Sequence, residues 1–454
     1  MADSSDRFSL YRNGVTIFGA AVTTTGAVLF LLAFVLELFG YHGNPYIGML
    51  VFLVLPGVFV AGLAIMPVGV YLERRQRAAG KGPWQWPKID FGEPRQRRAA
   101  VVFFTLSILN ILIVAVAGFK GIEYMDSPQF CGQVCHEVME PEWAGYQEGS
   151  HSRVTCVQCH IGPGAPWFVK SKLSGLRQVY AVTFDTHSRP IPSPVHDLRP
   201  ARDTCEQCHW PEKFHGDKIH AIREYGDDEA NTESVTNLRM HIGGISPGVG
   251  IASGIHWHVS QQNRIEYITT DEKRQVIPYV ELIDGTGNRV VYRSDGVTDE
   301  QLAAGERRVL DCVDCHNRPA HTFAMSAERA VDNAIAAGAI DRALPFVRRE
   351  TVKVLRARYP HKDSALKGIA DGLAGYYAAN HPGVPTASVT QAVGTAQALY
   401  QRNVFPTMNV TWASYVNNVG HTAFPGCFRC HDDQHVSKDG KTIRQDCSLC
   451  HTME

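Results

Sequence analysis

Three long runs without charge open the chain: residues 15–36, 46–72 and 99–119 contain no Asp, Glu, Lys or Arg. About 20 such residues, rising about 1.5 Å each as an α-helix, cross about 30 Å of hydrocarbon while satisfying their own backbone hydrogen bonds. The pattern predicts three membrane-spanning helices. The first run exceeds the apolar stretch of a secretory leader and two more follow it, which argues for a retained anchor. Pro56 and Pro67 lie in the second run, where neighbouring helices can resatisfy the backbone groups that a proline frees.

Beyond Lys120 the texture changes three times. Residues 131–223 are dense in His, Pro and Cys, with few periodic runs. Residues 264–293 read RIEYITT, RQVIPYVELI and RVVYR, separated by Asp271-Glu272 and Asp284-Gly285, which predicts a small antiparallel meander. Residues 326–403 place apolar side chains at three- and four-residue intervals, in AERAVDNAIAAGAI, DRALPFVRRETVKVLRARY and ALKGIADGLAGYYAA, which predicts helices.

Composition alone hides this organisation. A 44% hydrophobic, 20% charged chain of net charge −1 looks like any soluble globular protein. Charge placement is more informative: residues 73–98 carry Arg74, Arg75, Arg77, Lys81, Lys88, Arg95, Arg97 and Arg98, whereas residues 42–45 carry no Lys or Arg. The basic loop belongs in the cytoplasm. The amino terminus then lies inside, and everything after Lys120 lies outside. A basic stretch between two spans serves topology and lipid headgroups, so no nucleic-acid partner is expected.

All twelve cysteines fall in six motifs: Cys131–Cys135, Cys156–Cys159, Cys205–Cys208, Cys312–Cys315, Cys427–Cys430 and Cys447–Cys450. The residues that follow are His136, His160, His209, His316, His431 and His451. A redox dithiol or a zinc ribbon would use the Cys pairs, but gives no reason for a histidine after every second thiol. Covalent haem does: two thiols add to the vinyl groups and the histidine ligates the iron. Six c-type haems are expected. The first motif is CxxxCH, so its extra residue is expected to loop out between the two anchors.

Fourteen of the twenty histidines remain, enough for a second axial imidazole on most irons. By proximity to motifs, the distal candidates are His151, His196, His256, His258, His321, His421 and His435. Met139, three residues after His136, offers a thioether that would raise the potential of the first iron; the alternative is a methionine filling a gap. The first motif follows the last run by about a dozen residues, so its haem belongs at the membrane surface, where a quinol can reach it. Quinol oxidation releases protons, and Asp126, Glu140, Glu142, Lys170 and Lys172 are the nearby groups able to take or orient them. Each is equally suited to a salt bridge or headgroup contact.

The run CGQVCHEVMEPEWAGYQEGSHSRVTCVQCHIGPGAPWFVKSKLSG resembles the NapC/NirT family of membrane-anchored quinol dehydrogenases over residues 125–180. Further on, PIPSPVHDLRPARDTCEQCHWPEKFHG, CVDCHNRPAHTF and GCFRCHDDQHVSKDGKTIRQDCSLCH resemble the larger multihaem, ImcH-like branch. The resemblance implies oxidation of menaquinol or ubiquinol at the outer face of the bacterial inner membrane, with electrons passed to a periplasmic cytochrome or reductase. It also implies that Met139, rather than His136, ligates the first iron. The family's quinol-flanking lysine falls at Lys172, with Lys170 as the alternative, and its acidic position at Gln178. Small members have one span and four haems, against three runs and six motifs here.

The expected architecture is mainly α: a membrane domain at 1–120 with three transmembrane helices, a three-haem domain with little regular structure at 121–240, a small β insertion at 241–310, and a helical part with three haems at 311–454. Two other function classes fit the same motifs. A terminal reductase of a small inorganic substrate needs one iron with an open face, and a passive wiring subunit needs no quinol site.

Overall fold

The computed structural model describes residues 13–38, 54–80, 90–134, 136–162, 164–195, 198–243, 254–260 and 262–454. The chain divides into two units, Met1–Phe130 with Thr155–Tyr180, and Cys131–Val154 with Ala181–Glu454. The longer helices are α1 (Gly14–Leu38), α2 (Leu55–Ala78), α3 (Pro94–Met125), α4 (His136–Gln147), α5 (Ala165–Thr183), α6 (Ala327–Ala336), α7 (Val347–Arg356), α8 (Lys362–Asn380) and α9 (Thr386–Asn403).

In the first unit α1 and α2 pack antiparallel along a seam of small residues. A Cβ on Gly62 would stand 2.4 Å from Thr23 Oγ1, and one on Gly69 would stand 2.4 Å from Thr16 Oγ1. Only glycine admits this approach, and the Thr16 hydroxyl uses it to donate to the Met66 carbonyl at 3.3 Å. Close backbone contact through small residues is how helices associate where lipid offers no hydrophobic drive. Among the described residues, α1 and α2 are the helices long and apolar enough to cross a membrane. The expected second span begins earlier than α2, and residues 46–53 of it lie outside the described residues. The third expected run forms the middle of the 32-residue α3.

The second unit has two sheets and a helical layer. Strands β3 (Arg264–Thr269), β4 (Tyr279–Ile283) and β5 (Arg289–Arg293) form the expected meander. It is widened by β6 (Glu306–Val309) and β7 (Val436–Ser437) into a sheet of order β6-β3-β4-β5-β7. Along β3 the alternation is direct: Ile265 and Tyr267 are buried, with Val280 opposite Tyr267. The other sheet, β1 (Asp217–Tyr225), β2 (Glu233–His241) and β8 (His451–Met453), was not foreseen in the sequence. β1 is almost wholly exposed and β2 mostly half-buried, with no regular alternation along either, so they lack the period-two signal. Their pairing is set instead by the turn, where Asp228 accepts from the Thr232 amide at 2.8 Å.

The helical layer lies where the periodicity predicts. Val331, Ile340, Leu344, Leu355, Ile369, Leu373 and Tyr377 form its core, and Ser326 caps α6 by accepting from the Arg329 amide at 3.1 Å.

Candidate haem-binding site

The Cys pairs sit on short turns that set both sulfurs on one side. Cys156–His160 and Cys312–Cys315 are single helical turns, and Gly426–Arg429 and Cys447–Leu449 are 3-10 turns. Two of them are capped from just before the first cysteine: Asp311 accepts from the Cys312 amide at 2.6 Å, and Asp446 from the Ser448 amide at 3.0 Å. The cysteines of the last four sites are free thiols.

The first site corrects one expectation. Its extra residue does not loop out, because Phe130–Val134 is wound as a π-turn, the way a helix absorbs a single inserted residue. Gly132 makes room for this: a Cβ there would lie 2.2 Å from Trp143 Cε3, so the indole covers the turn. Cys135 lies outside the described residues. Met139 is half-buried on α4.

Among the described residues, the motif histidines His209, His316, His431 and His451 each lie beside a second imidazole. His151 and His209 have ring centroids 6.0 Å apart, His256 and His316 6.4 Å, His258 and His431 5.8 Å, and His421 and His451 6.2 Å. Metal–imidazole bonds are about 2.0–2.1 Å and the ring centre lies about 1.1 Å beyond the nitrogen, so two imidazoles on one metal place their centroids about 6.2–6.4 Å apart. The four spacings match that value to within a few tenths of an ångström. Edge-on and offset ring contacts also span about 4.5–7 Å, as Phe346 and His381 do at 6.1 Å, so what distinguishes these four is that each joins a motif histidine to a second imidazole.

The ring orientations fit the same role. The Nδ1 of His151 faces the Pro319 carbonyl at 3.0 Å, that of His256 the Ile242 carbonyl at 3.1 Å, that of His258 the Ile255 carbonyl at 2.8 Å and that of His431 the Arg444 carbonyl at 2.9 Å. A carbonyl can only accept, so Nδ1 carries the proton and Nε2 is the nitrogen with a lone pair for a metal. Burial pushes His256, His258 and His316 below the usual imidazole pKa, which favours the neutral, ligating form. The anchoring carbonyls were invisible in the sequence, because any residue supplies one.

The remaining candidates divide. His321 Nδ1 contacts the Glu142 carbonyl at 3.0 Å, the same mode of anchoring. His435 does not fit the expected distal role: its Nδ1 meets Asp432 Oδ1 at 2.8 Å and its Nε2 the Ile277 carbonyl at 2.6 Å. With both nitrogens directed at acceptors, neither offers a lone pair to iron; the ring instead pins the loop after His431 against the five-stranded sheet. His196 lies outside the described residues. His160 is in the first unit, on its short turn.

Lys170, Lys172 and Gln178 share α5. Lys170 Nζ lies 5.2 Å from the Trp167 ring centroid, and Gln178 donates to Ser174 Oγ at 3.3 Å. The same helix exposes Val169, Leu173, Leu176 and Tyr180, at the four- and three-residue spacing of one face. Of the acidic candidates, Glu140 pairs with Lys362 at 2.6 Å and Glu142 with Arg318 at 2.7 Å.

Among the described residues no three His, Cys, Asp or Glu side chains converge on one point. The imidazoles come in twos, as befits a metal whose other four ligands are supplied by a porphyrin.

Comparison with known proteins agrees with this chemistry. The model of the NapC/NirT cytochrome c family, N-terminal region, matches residues 93–190. The cytochrome c-type protein ImcH of Geobacter sulfurreducens is 42% identical over 451 residues, covering 97% of this chain and 88% of that protein. The cytochrome c-type protein TorC of Escherichia coli K12 is 30% identical over 105 residues, 22% of this chain and 26% of its own. No solved structure matches. With likeness to ImcH running nearly end to end and the family region lying across the first two Cys motifs, this chain belongs to the NapC/NirT cytochrome c family, in its ImcH-like branch.

Proposed function

We propose that this chain is a quinol dehydrogenase of the bacterial inner membrane that carries six c-type haems and delivers electrons to a periplasmic cytochrome or reductase. The observation that carries the reading is the set of four imidazole pairs at 5.8–6.4 Å. In this reading His151 and His209, His256 and His316, His258 and His431, and His421 and His451 each hold one iron, through sulfurs at the third, fourth, fifth and sixth Cys pairs. His321 and Met139 remain as further candidate ligands. A bound haem supplies one-electron transfer at its iron. The protein's part is to fix each imidazole by its Nδ1 contact, keep it neutral by burial, and leave no axial position for a substrate.

The three uncharged runs, with the middle of α3 as the third span, support a periplasmic haem domain, because the basic loop 73–98 belongs in the cytoplasm. The exposed apolar face of α5 supports contact with lipid or a quinol tail. Lys172 or Lys170 would orient a quinol hydroxyl there, with Gln178 beside them. Glu140 and Glu142 are held in ion pairs with Lys362 and Arg318.

The test uses detergent-solubilised holoprotein and duroquinol. Wild type is expected to show reduced-haem absorbance within seconds of mixing, and Lys172→Ala together with Lys170→Ala is expected to slow that phase at least tenfold. No reduction by duroquinol, with normal reduction by dithionite, would leave a passive wiring subunit. Turnover of nitrite or hydroxylamine by dithionite-reduced protein would favour the reductase instead.

A further inference from the structure

The second unit ties the last four Cys pairs together one to the next. The turn before Cys205 meets the turn before Cys312: the Ala201 amide donates to Asp311 Oδ2 at 2.9 Å. The Cys312 turn meets the Cys427 turn, where Arg429 Nη2 donates to the Asp314 carbonyl at 2.6 Å. Their distal imidazoles, His256 and His258, stand two residues apart on one 3-10 turn, Ile255–Val259. The Cys427 turn meets the Cys447 turn in turn: His431 Nδ1 donates to the Arg444 carbonyl at 2.9 Å, the Gln445 amide donates to Asp433 at 3.0 Å, and His421, the partner of His451, stacks on Phe428 at 4.2 Å.

The two ends differ. The distal imidazole at the Cys205 end is His151, which the chain reaches directly from α4 and the first Cys motif. Cys208 at the Cys205 end and Cys447 at the other are both exposed, so the ends differ in their distal side: the far end takes His421, from the segment just before the fifth motif, and β8 there forms an edge of its sheet.

We propose that attachment sites three to six stand in single file in the order of the sequence, so that the haem on Cys447 and Cys450, held by His451 and His421, is the exit port for electrons. This rests on the imidazole pairing proposed above. An exposed terminal position suits a soluble acceptor that must bring its own cofactor close, while His256 and His258 keep the fourth and fifth sites together in the interior.

The order is tested on holoprotein reduced with dithionite, which does not depend on quinol chemistry. His421→Met and His258→Met each exchange one imidazole for a thioether and so raise the potential of one centre. In a redox titration followed by electron paramagnetic resonance, His421→Met is expected to move one centre and perturb one neighbour, whereas His258→Met moves one and perturbs two. Oxidation of the reduced His421→Met protein by soluble mitochondrial cytochrome c is expected to slow at least tenfold. A Cys447→Ala, Cys450→Ala protein with five haems gives the same oxidation readout if the methionine variant does not fold. Two perturbed neighbours in His421→Met, or oxidation within twofold of wild type, would overturn the proposal. Failure of duroquinol to reduce the wild type would sink only the quinol assignment.

Discussion

Replacing Glu142 by Gln should loosen α4 far more than an ordinary charge removal. The Glu142 and Arg318 side chains are 11% and 12% exposed and meet at 2.7 Å, while the guanidinium lies 3.9 Å from the Tyr415 ring centroid. Glutamine keeps the size and can still accept one hydrogen bond, but it leaves the arginine charge largely buried without a counter-ion. Breaking one side of such a pair costs about 3–5 kcal/mol, and if that energy is lost from local opening of α4, amide exchange there should speed up by roughly two to three and a half orders of magnitude. The exposed pair Lys367–Asp371, 77% and 63% exposed, is the control, since Asp371→Asn should cost less than about 0.5 kcal/mol. Hydrogen exchange read by mass spectrometry on both holoproteins compares them. A change below threefold in α4 for Glu142→Gln would refute the claim that this pair anchors the helix carrying Met139. His321 Nδ1 lies 3.0 Å from the Glu142 backbone carbonyl and 3.2 Å from its carboxylate, so the substitution removes only the second of its two contacts with Glu142.

Two further outcomes follow. Leu373→Ala, at a fully buried position in the helical core, should cost about 2–5 kcal/mol, read as an earlier urea midpoint in far-ultraviolet circular dichroism; a shift worth less than about 1 kcal/mol would mean that the core is looser than the packing indicates. His258→Ala should convert one low-spin centre to high spin, while His435→Ala should leave the spin-state count unchanged despite losing the ring's three hydrogen bonds, to Asp432, Ile277 and Ser294. A high-spin signal from His435→Ala would restore that residue as a ligand.

The sequence was most legible where a residue type carries its own chemistry or its own period. The Cys pairs with trailing histidines marked the candidate attachment sites, the β-rich runs between turn residues over 264–293 located the meander, and the spacing through Val331, Leu355 and Leu373 located the helices. The hairpin β1–β2 was hidden because neither strand alternates regularly and its register comes from a turn aspartate. Distal ligands were legible only as a pool. Sequence proximity ranked His435 equal to His256, since both lie near motifs, whereas the difference is a matter of what each ring nitrogen meets. The His151 ring lies beside His209 of the third motif and contacts the Pro319 carbonyl, contacts that its position in the sequence, just before the second motif, did not reveal. The π-turn at Phe130–Val134 shows the same limit: spacing revealed an extra residue, and only the backbone shows where it goes.

The pairing of imidazoles is tested most directly by near-infrared magnetic circular dichroism of the oxidised holoprotein, which separates bis-imidazole, thioether-ligated and high-spin irons in one spectrum. Five bis-imidazole centres and one distinct centre are predicted, with four of the five assigned to the pairs at 5.8–6.4 Å. Fewer than four bis-imidazole centres, or a chain bearing no haem bands at all, would contradict the account.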